Sequence, residues 1–131
     1  MAKVHSKSCL IVDDSLVVRK VARRIAEDTG FQCTEAEDGE KAYQSCAASM
    51  PDLILLDWLM PVMNGLEFLE KLRRMENGKH PKVIFCTTEN TPKHLKRALD
   101  AGADEYIMKP FDNEIMEAKF TIVGLITEED A

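Results

Sequence analysis

Hydrophobic and polar positions follow two periods along this chain. Short apolar or β-branched runs at 8–12, 32–36, 53–56, 82–86 and 105–108 read as strands. The third and fourth runs are almost continuously hydrophobic, as expected for central strands of a parallel sheet covered on both faces. Amphipathic stretches lie between them. Residues 15–28 carry Leu16, Val17, Val21 and Ile25 near helical spacing, with Gly30 as a C-cap. A shorter helix is read at 40–48, and one at 65–75 places Leu66, Leu69 and Leu72 on one face. Thr91 caps a helix at 92–101, with Pro92 in its first turn and Gly102 as its stop. Asp112 caps a last helix running to about Leu125. Strand and helix alternate five times, which predicts a doubly wound α/β fold: a parallel sheet with helices on both faces. No linker, repeat or low-complexity segment interrupts the pattern. The acidic tail Thr127–Ala131 is expected to fray.

Composition narrows the class. The 131 residues are 45% hydrophobic and 31% charged, an ordinary globular balance that can bury one sizeable core. A net charge of −6 argues against a general nucleic-acid binder, which needs a basic footprint. No apolar run approaches the ~20 residues of a membrane span. Met1 to Lys7 contains no stretch apolar enough for a signal peptide, so the expected location is the cytoplasm. Cys9, Cys33, Cys46 and Cys86 lack metal-ligand spacing and read as buried free thiols.

The chemistry is expected beyond the carboxyl ends of the strands, where open α/β sheets bind their ligands. Strand 1 is followed by Asp13 and Asp14, strand 3 by Asp57, strand 4 by Thr87 and Thr88, and strand 5 by Lys109 and Pro110. Strand 2 ends in acidic residues too, Glu35 to Asp38, but an edge strand holds them at the periphery. Clustered carboxylates are costly unless cations join them. Lys109 and one Mg²⁺ together neutralise Asp13, Asp14 and Asp57. Hard oxygen ligands with room for water and a phosphate oxygen suit Mg²⁺. A carboxylate in that company can attack a phosphoryl group whose oxygens the cations neutralise.

These residues sit in runs that resemble the response-regulator receiver family. The runs are Leu10-Ile11-Val12-Asp13-Asp14-Ser15, Asp52-Leu53-Ile54-Leu55-Leu56-Asp57 and Met60-Pro61-Val62-Met63-Asn64-Gly65. Thr87, Ala101-Gly102-Ala103-Asp104 and Tyr106-Ile107-Met108-Lys109-Pro110-Phe111 complete them. With no output domain following in this sequence, it most resembles stand-alone chemotaxis regulators of the CheY type. The resemblance implies a single receiver domain over residues 1–131, with a core at about 7–125. It also implies a five-stranded (βα)5 sheet with the flavodoxin-like strand order 2-1-3-4-5. By resemblance, Asp57 is the phosphoryl acceptor and Asp14 a direct Mg²⁺ ligand. Asp13 then acts largely through water, and the Leu59 carbonyl is a further ligand. Thr87 and Lys109 contact phosphoryl oxygens, and Tyr106 changes rotamer as Thr87 is drawn inward. The Lys109–Pro110 bond is expected to be cis. The Leu59 side chain, where some chemotaxis members carry an amide, lies near the path of the water that removes the phosphoryl group.

The resemblance implies a two-component signalling switch rather than an enzyme, catalysing only its own phosphorylation and dephosphorylation. A sensor histidine kinase donates, and the partner is a flagellar motor switch protein or, alternatively, a histidine phosphotransfer protein in a relay or phosphate sink. A monomer is expected, with no nucleic-acid or membrane partner. Two rivals fit less well. A haloacid-dehalogenase-type phosphatase has its nucleophile in an Asp-x-Asp run after strand 1, whereas this chain has Asp13-Asp14-Ser15. An FMN binder needs an anion-accepting first loop, which Asp13 and Asp14 oppose. Plainer readings stand beside these roles. Asp13 and Asp14 could simply cap the first helix, and Thr87 could be strand-end punctuation. His5, His80 and His94 read as solvated, Met60 and Met63 as core or loop filler, and Lys93, Lys96 and Arg97 as a solvated face or a docking aid.

Overall fold

The computed structural model describes residues 7–88 and 91–126. In chain order the elements are β1 Ser8–Val12, α1 Leu16–Asp28, β2 Gln32–Ala36, α2 Gly39–Ala48 and β3 Leu53–Leu56. They continue with α3 Gly65–Arg73, β4 Lys82–Thr87, α4 Pro92–Asp100, β5 Glu105–Met108 and α5 Asn113–Ile122. The five strands are all parallel, in the order β2-β1-β3-β4-β5, as expected.

Strand alternation builds two cores from one sheet. Cys9 and Ile11 of β1 face α1 and α5, joining Ile25, Leu53, Ile84, Met116 and Phe120. Leu10 and Val12 point the other way, joining Ala42 of α2, Leu69 of α3 and Ala98 of α4. All four residues of β3 are buried, which is why that run carries no polar position. All four cysteines are buried free thiols. Burial pushes the Cys46 thiol up to about 11 and raises Cys86 still further, so neither is a ready nucleophile at neutral pH. Met63 is buried and Met60 partly so, both as core filler.

Several boundaries differ from the sequence reading. Strand β4 runs one residue further, so Thr87 pairs with Met108 inside the ladder. Helix α2 starts at Gly39, because the Asp38 side chain accepts from the Lys41 N–H and caps it. Helix α3 stops at Arg73, ahead of a turn containing Asn77 at φ +62°. Helix α5 ends at Ile122, not near Leu125. Gly124 takes φ +82°, and the Gly124 and Leu125 N–H groups turn back to the Thr121 and Phe120 carbonyls. Gly30 and Gly102 close α1 and α4 in the same left-handed conformation. The expected fraying of Thr127–Ala131 and the reading of His5 lie outside the described residues. Among the described residues, no helix is long and apolar enough to cross a membrane.

Candidate functional site

The register of the ladder delivers the site. Val12 pairs with Leu56, so Asp13 and Asp57 emerge side by side from β1 and β3. The Asp57 N–H donates to the Val12 carbonyl at 2.8 Å, fixing that step. Thr87 pairs with Met108, so Lys109 leaves β5 beside it, and the Lys109 N–H donates to the Thr87 carbonyl at 3.1 Å. Four neighbouring strand ends thus converge on one rim.

Asp13 and Asp57 are buried and Asp14 is exposed, and one carboxylate oxygen from each lies within 4.8 Å of the others. Lys109 Nζ donates to Asp13 Oδ2 at 2.7 Å and stands 3.3 Å from Asp57 Oδ1. Asp57 Oδ1 also accepts the Trp58 N–H at 2.9 Å. Asp13 Oδ1 accepts the Ser15 N–H at 2.9 Å, so Asp13 serves the start of α1 as well as the rim. Ser15 itself is the N-cap of that helix. The cap of α1 is therefore Ser15 rather than Asp13 or Asp14, and the Asp13 side chain, while holding the Ser15 N–H, also faces Lys109 and Asp57.

The electrostatics leave room for a divalent cation. Burial, and then the neighbouring Asp13, push the Asp57 carboxyl up to about 6, although Lys109 and the Trp58 N–H pull it back. Burial alone would lower the Lys109 ammonium, but Asp13 and Asp57 outweigh it and hold the group above its ordinary range. Three carboxylates with one ammonium keep an excess of negative charge, and all the donors are hard oxygens. That donor set fits Mg²⁺.

An uncompensated cluster has a consequence for stability. An acid whose folded-state pKa is raised is stabilising below its unfolded value, near 3.8, and loses that contribution as pH rises through about 6. Asp57→Asn should therefore stabilise the metal-free protein by about 1–3 kcal/mol at pH 7 and by almost nothing at pH 3.5. Urea denaturation in EDTA at both pH values measures this. An equal effect at the two values would show that the Asp57 charge is not strained by its surroundings.

Other expected site residues are placed as follows. Thr87 is only 2% exposed at the end of β4, whereas Thr88 is exposed. The Leu59 side chain is 59% exposed, so any metal contact from this residue falls to its carbonyl. Tyr106 is half-buried, with its phenol oxygen buried, and packs against the α2–α3–α4 core. The Lys109–Pro110 bond is cis, as the resemblance implied. Asp38 caps α2.

The sequence reading missed a cluster of cations around Glu35 and the environment of His94. The Arg19 guanidinium donates to the Asp13 carbonyl at 2.8 Å and to Glu35 Oε1 at 3.0 Å. Lys20 and Arg23 also bind Glu35. Burial opposes ionisation of Glu35, but the three cations together bring its carboxyl down to about 2. The signal was present: Arg19 lies one helical turn inside the Ser15 cap, behind an acidic loop. His94 is half-buried rather than solvated. Its ring packs edge-on against Trp58 with centroids 5.2 Å apart. His80 is exposed, with Nε2 2.8 Å from Asp52 Oδ1. Lys93 is exposed, Lys96 pairs with Asp100, and Arg97 stands over the Trp58 ring.

The family model for the response regulator receiver domain matches residues 9–121. The chain belongs to the response-regulator receiver family. This receiver is 36% identical to the chemotaxis protein CheY of Halobacterium salinarum over 114 residues, covering 86% of this chain and 93% of that one. It is 34% identical to the phosphate regulon transcriptional regulatory protein PhoB of Escherichia coli over 118 residues, 90% of this chain. That match spans only about half of PhoB, 52% of its length. Among solved structures, the chemotaxis protein CheY4 of Vibrio cholerae superposes with a TM-score of 0.86 at 29% identity, covering 91% of this chain and 99% of that one. Receivers are signalling switches rather than metabolic enzymes. Phosphorylation of an aspartate and a resulting change in partner affinity are general to the family, as is Mg²⁺ binding.

Proposed function

We propose that this receiver accepts a phosphoryl group on Asp57 from a sensor histidine kinase and thereby changes its affinity for a protein partner. The observation that carries the reading is the Lys109 ammonium lodged between Asp13 and Asp57, beside a third carboxylate from Asp14. An Asp57 oxygen attacks phosphorus, the bond from phosphorus to the donor imidazole nitrogen breaks, and its electron pair leaves on that nitrogen. Lys109 holds one phosphoryl oxygen and the Thr87 hydroxyl another as charge moves onto them. Asp13, Asp14, Asp57 and the Leu59 carbonyl would hold Mg²⁺, which neutralises phosphoryl charge when bound. Reset is hydrolysis of the acyl phosphate at Asp57. Thr87, drawn toward the new group, and Tyr106 behind it form the switch.

The relatives named CheY support a place in chemotaxis, and we assign the flagellar motor switch as the first-choice partner. The second reading is a relay or phosphate sink feeding a histidine phosphotransfer protein. We take the protein to be a cytoplasmic monomer, one receiver domain over residues 1–131.

Trp58, the only tryptophan, provides the test. It lies between Asp57 and Leu59, so an ion binding there changes the field and the loop around the indole. Mg²⁺ should change its emission saturably, and acetyl phosphate should change it again only when Mg²⁺ is present. Asp14→Ala should abolish both responses, while Asp57→Asn should lose only the second. An Asp14→Ala protein that titrates like wild type would place the metal elsewhere.

A further inference from the structure

Helix α4 is the most thinly anchored element beside the site. Ala98 is its one buried residue, and Leu95 and Leu99 on its outer face are 38% and 50% exposed. Its C-terminal end is nonetheless pinned. The Gly102 carbonyl accepts from Arg73 Nε at 3.1 Å and from Nη2 at 2.7 Å. The same guanidinium donates to the Pro81 carbonyl at 2.8 Å, tying that end of α4 to the start of β4.

The body of the helix is held differently, by rings, through His94 in its first turn and Arg97 in its last. The Trp58 indole is 5% exposed and packs on Phe85 with centroids 5.0 Å apart. His94 meets it edge-on at 5.2 Å with planes 77° apart, and the Arg97 guanidinium carbon lies 5.9 Å from its centroid. Thr91 Oγ1 fixes the imidazole from the other side, 2.6 Å from Nδ1. Edge-to-face and cation–π contacts of this kind stabilise through the face of one shared ring. That ring belongs to the residue whose N–H is bound by Asp57 Oδ1.

We propose that His94 and Arg97 form a latch on Trp58, so that α4 swings about its Arg73-pinned end when Asp57 changes charge. This deepens the function proposed above and rests on it for the role of Asp57. Phosphorylation turns the Asp57 carboxylate into an acyl phosphate: the added charge sits on the phosphoryl oxygens, and the carboxyl oxygen left to the Trp58 N–H becomes a neutral, weaker acceptor. The strand end carrying the indole then loses one of its anchors, keeping the backbone bonds to Val12 and Gly65, and the ring that α4 grips moves. Coupling is reciprocal: opening the latch from the α4 side favours the phosphorylated form by the same factor. Elements with few buried contacts are the ones that open locally.

The test uses the full chain and a double variant, His94→Ala with Arg97→Ala, and a paired rescue, His94→Phe with Arg97→Lys. Without phosphoryl donor, the double variant should exchange its α4 amides about tenfold faster than wild type. Exchange in α5 and the sheet should be unchanged, and acrylamide should quench Trp58 more readily. The rescue, which restores a ring edge and a cation, should return both signals toward wild type. With acetyl phosphate and Mg²⁺, the double variant should hold a severalfold larger ratio of labelled to unlabelled Asp57 at steady state. Unchanged α4 exchange would overturn the latch while leaving labelling of wild-type Asp57, and the function, intact. Faster α4 exchange with an unchanged labelled ratio would overturn the coupling. Faster exchange throughout the sheet would show general destabilisation and no latch. No label on wild-type Asp57 would overturn the function itself, and the coupling with it.

Discussion

Lys109→Ala is expected to slow phosphoryl acceptance from acetyl phosphate by about 10²–10³-fold, the usual cost of losing one preorganised charge at a developing anion. It should also destabilise the metal-free protein. The ammonium bridges Asp13, whose side chain is 3% exposed, and Asp57, at 9%. Removing the cation leaves two buried carboxylates facing each other, a loss of about 3 kcal/mol. The two effects should separate when Mg²⁺ is added. A divalent ion offsets the missing charge and should restore most of the stability, but it cannot supply the donor at the position Lys109 occupies. Stopped-flow fluorescence and urea denaturation with and without Mg²⁺ measure both. A Lys109→Ala protein of wild-type stability in EDTA would mean that the bridging geometry is not maintained in solution.

Gly65→Ala should damage the fold to a similar extent, although it touches no charged group. A Cβ at Gly65 would lie 2.1 Å from the Asp57 carbonyl oxygen and 3.0 Å from Phe85 Cε1. Neither neighbour can yield: one is strand-end backbone and the other a ring in the core. The Gly65 N–H also donates to the Trp58 carbonyl at 2.9 Å, clamping α3 onto the acceptor loop. The expected cost is about 2–4 kcal/mol, with loss of both Trp58 responses. A Gly65→Ala protein that melts and titrates like wild type would contradict this close approach.

Much of this was legible in the sequence, for identifiable reasons. Residues 53–56 had to be a central strand because every position is apolar, and both cores need them. Asp13, Asp57 and Lys109 could be named together because chains of alternating strand and helix deliver their strand ends to one rim. Residue pairings across that rim were not legible. Asp13 stands beside Asp57 and binds Lys109, and only the registers of β1 on β3, β3 on β4 and β4 on β5 bring the three together. Thr87 was read as lying just past its strand because a threonine after Cys86 looks the same at a strand end as in a turn. His94 looked solvated because its helix carries so few apolar positions, and its partner Trp58 lies 36 positions earlier in the chain. For Arg19 the acidic loop ahead of α1 pointed to the Asp13 contact, but nothing local joins it to Glu35 on β2.

The most direct measurement is site-resolved. The protein is incubated with acetyl phosphate and Mg²⁺, the acyl phosphate is trapped with borohydride, and the peptides are mapped by mass spectrometry. One modified residue is expected, Asp57, with no labelling in EDTA and none in Asp57→Asn. Label on another residue, or undiminished labelling of Asp57→Asn, would contradict the assignment of Asp57 as the acceptor.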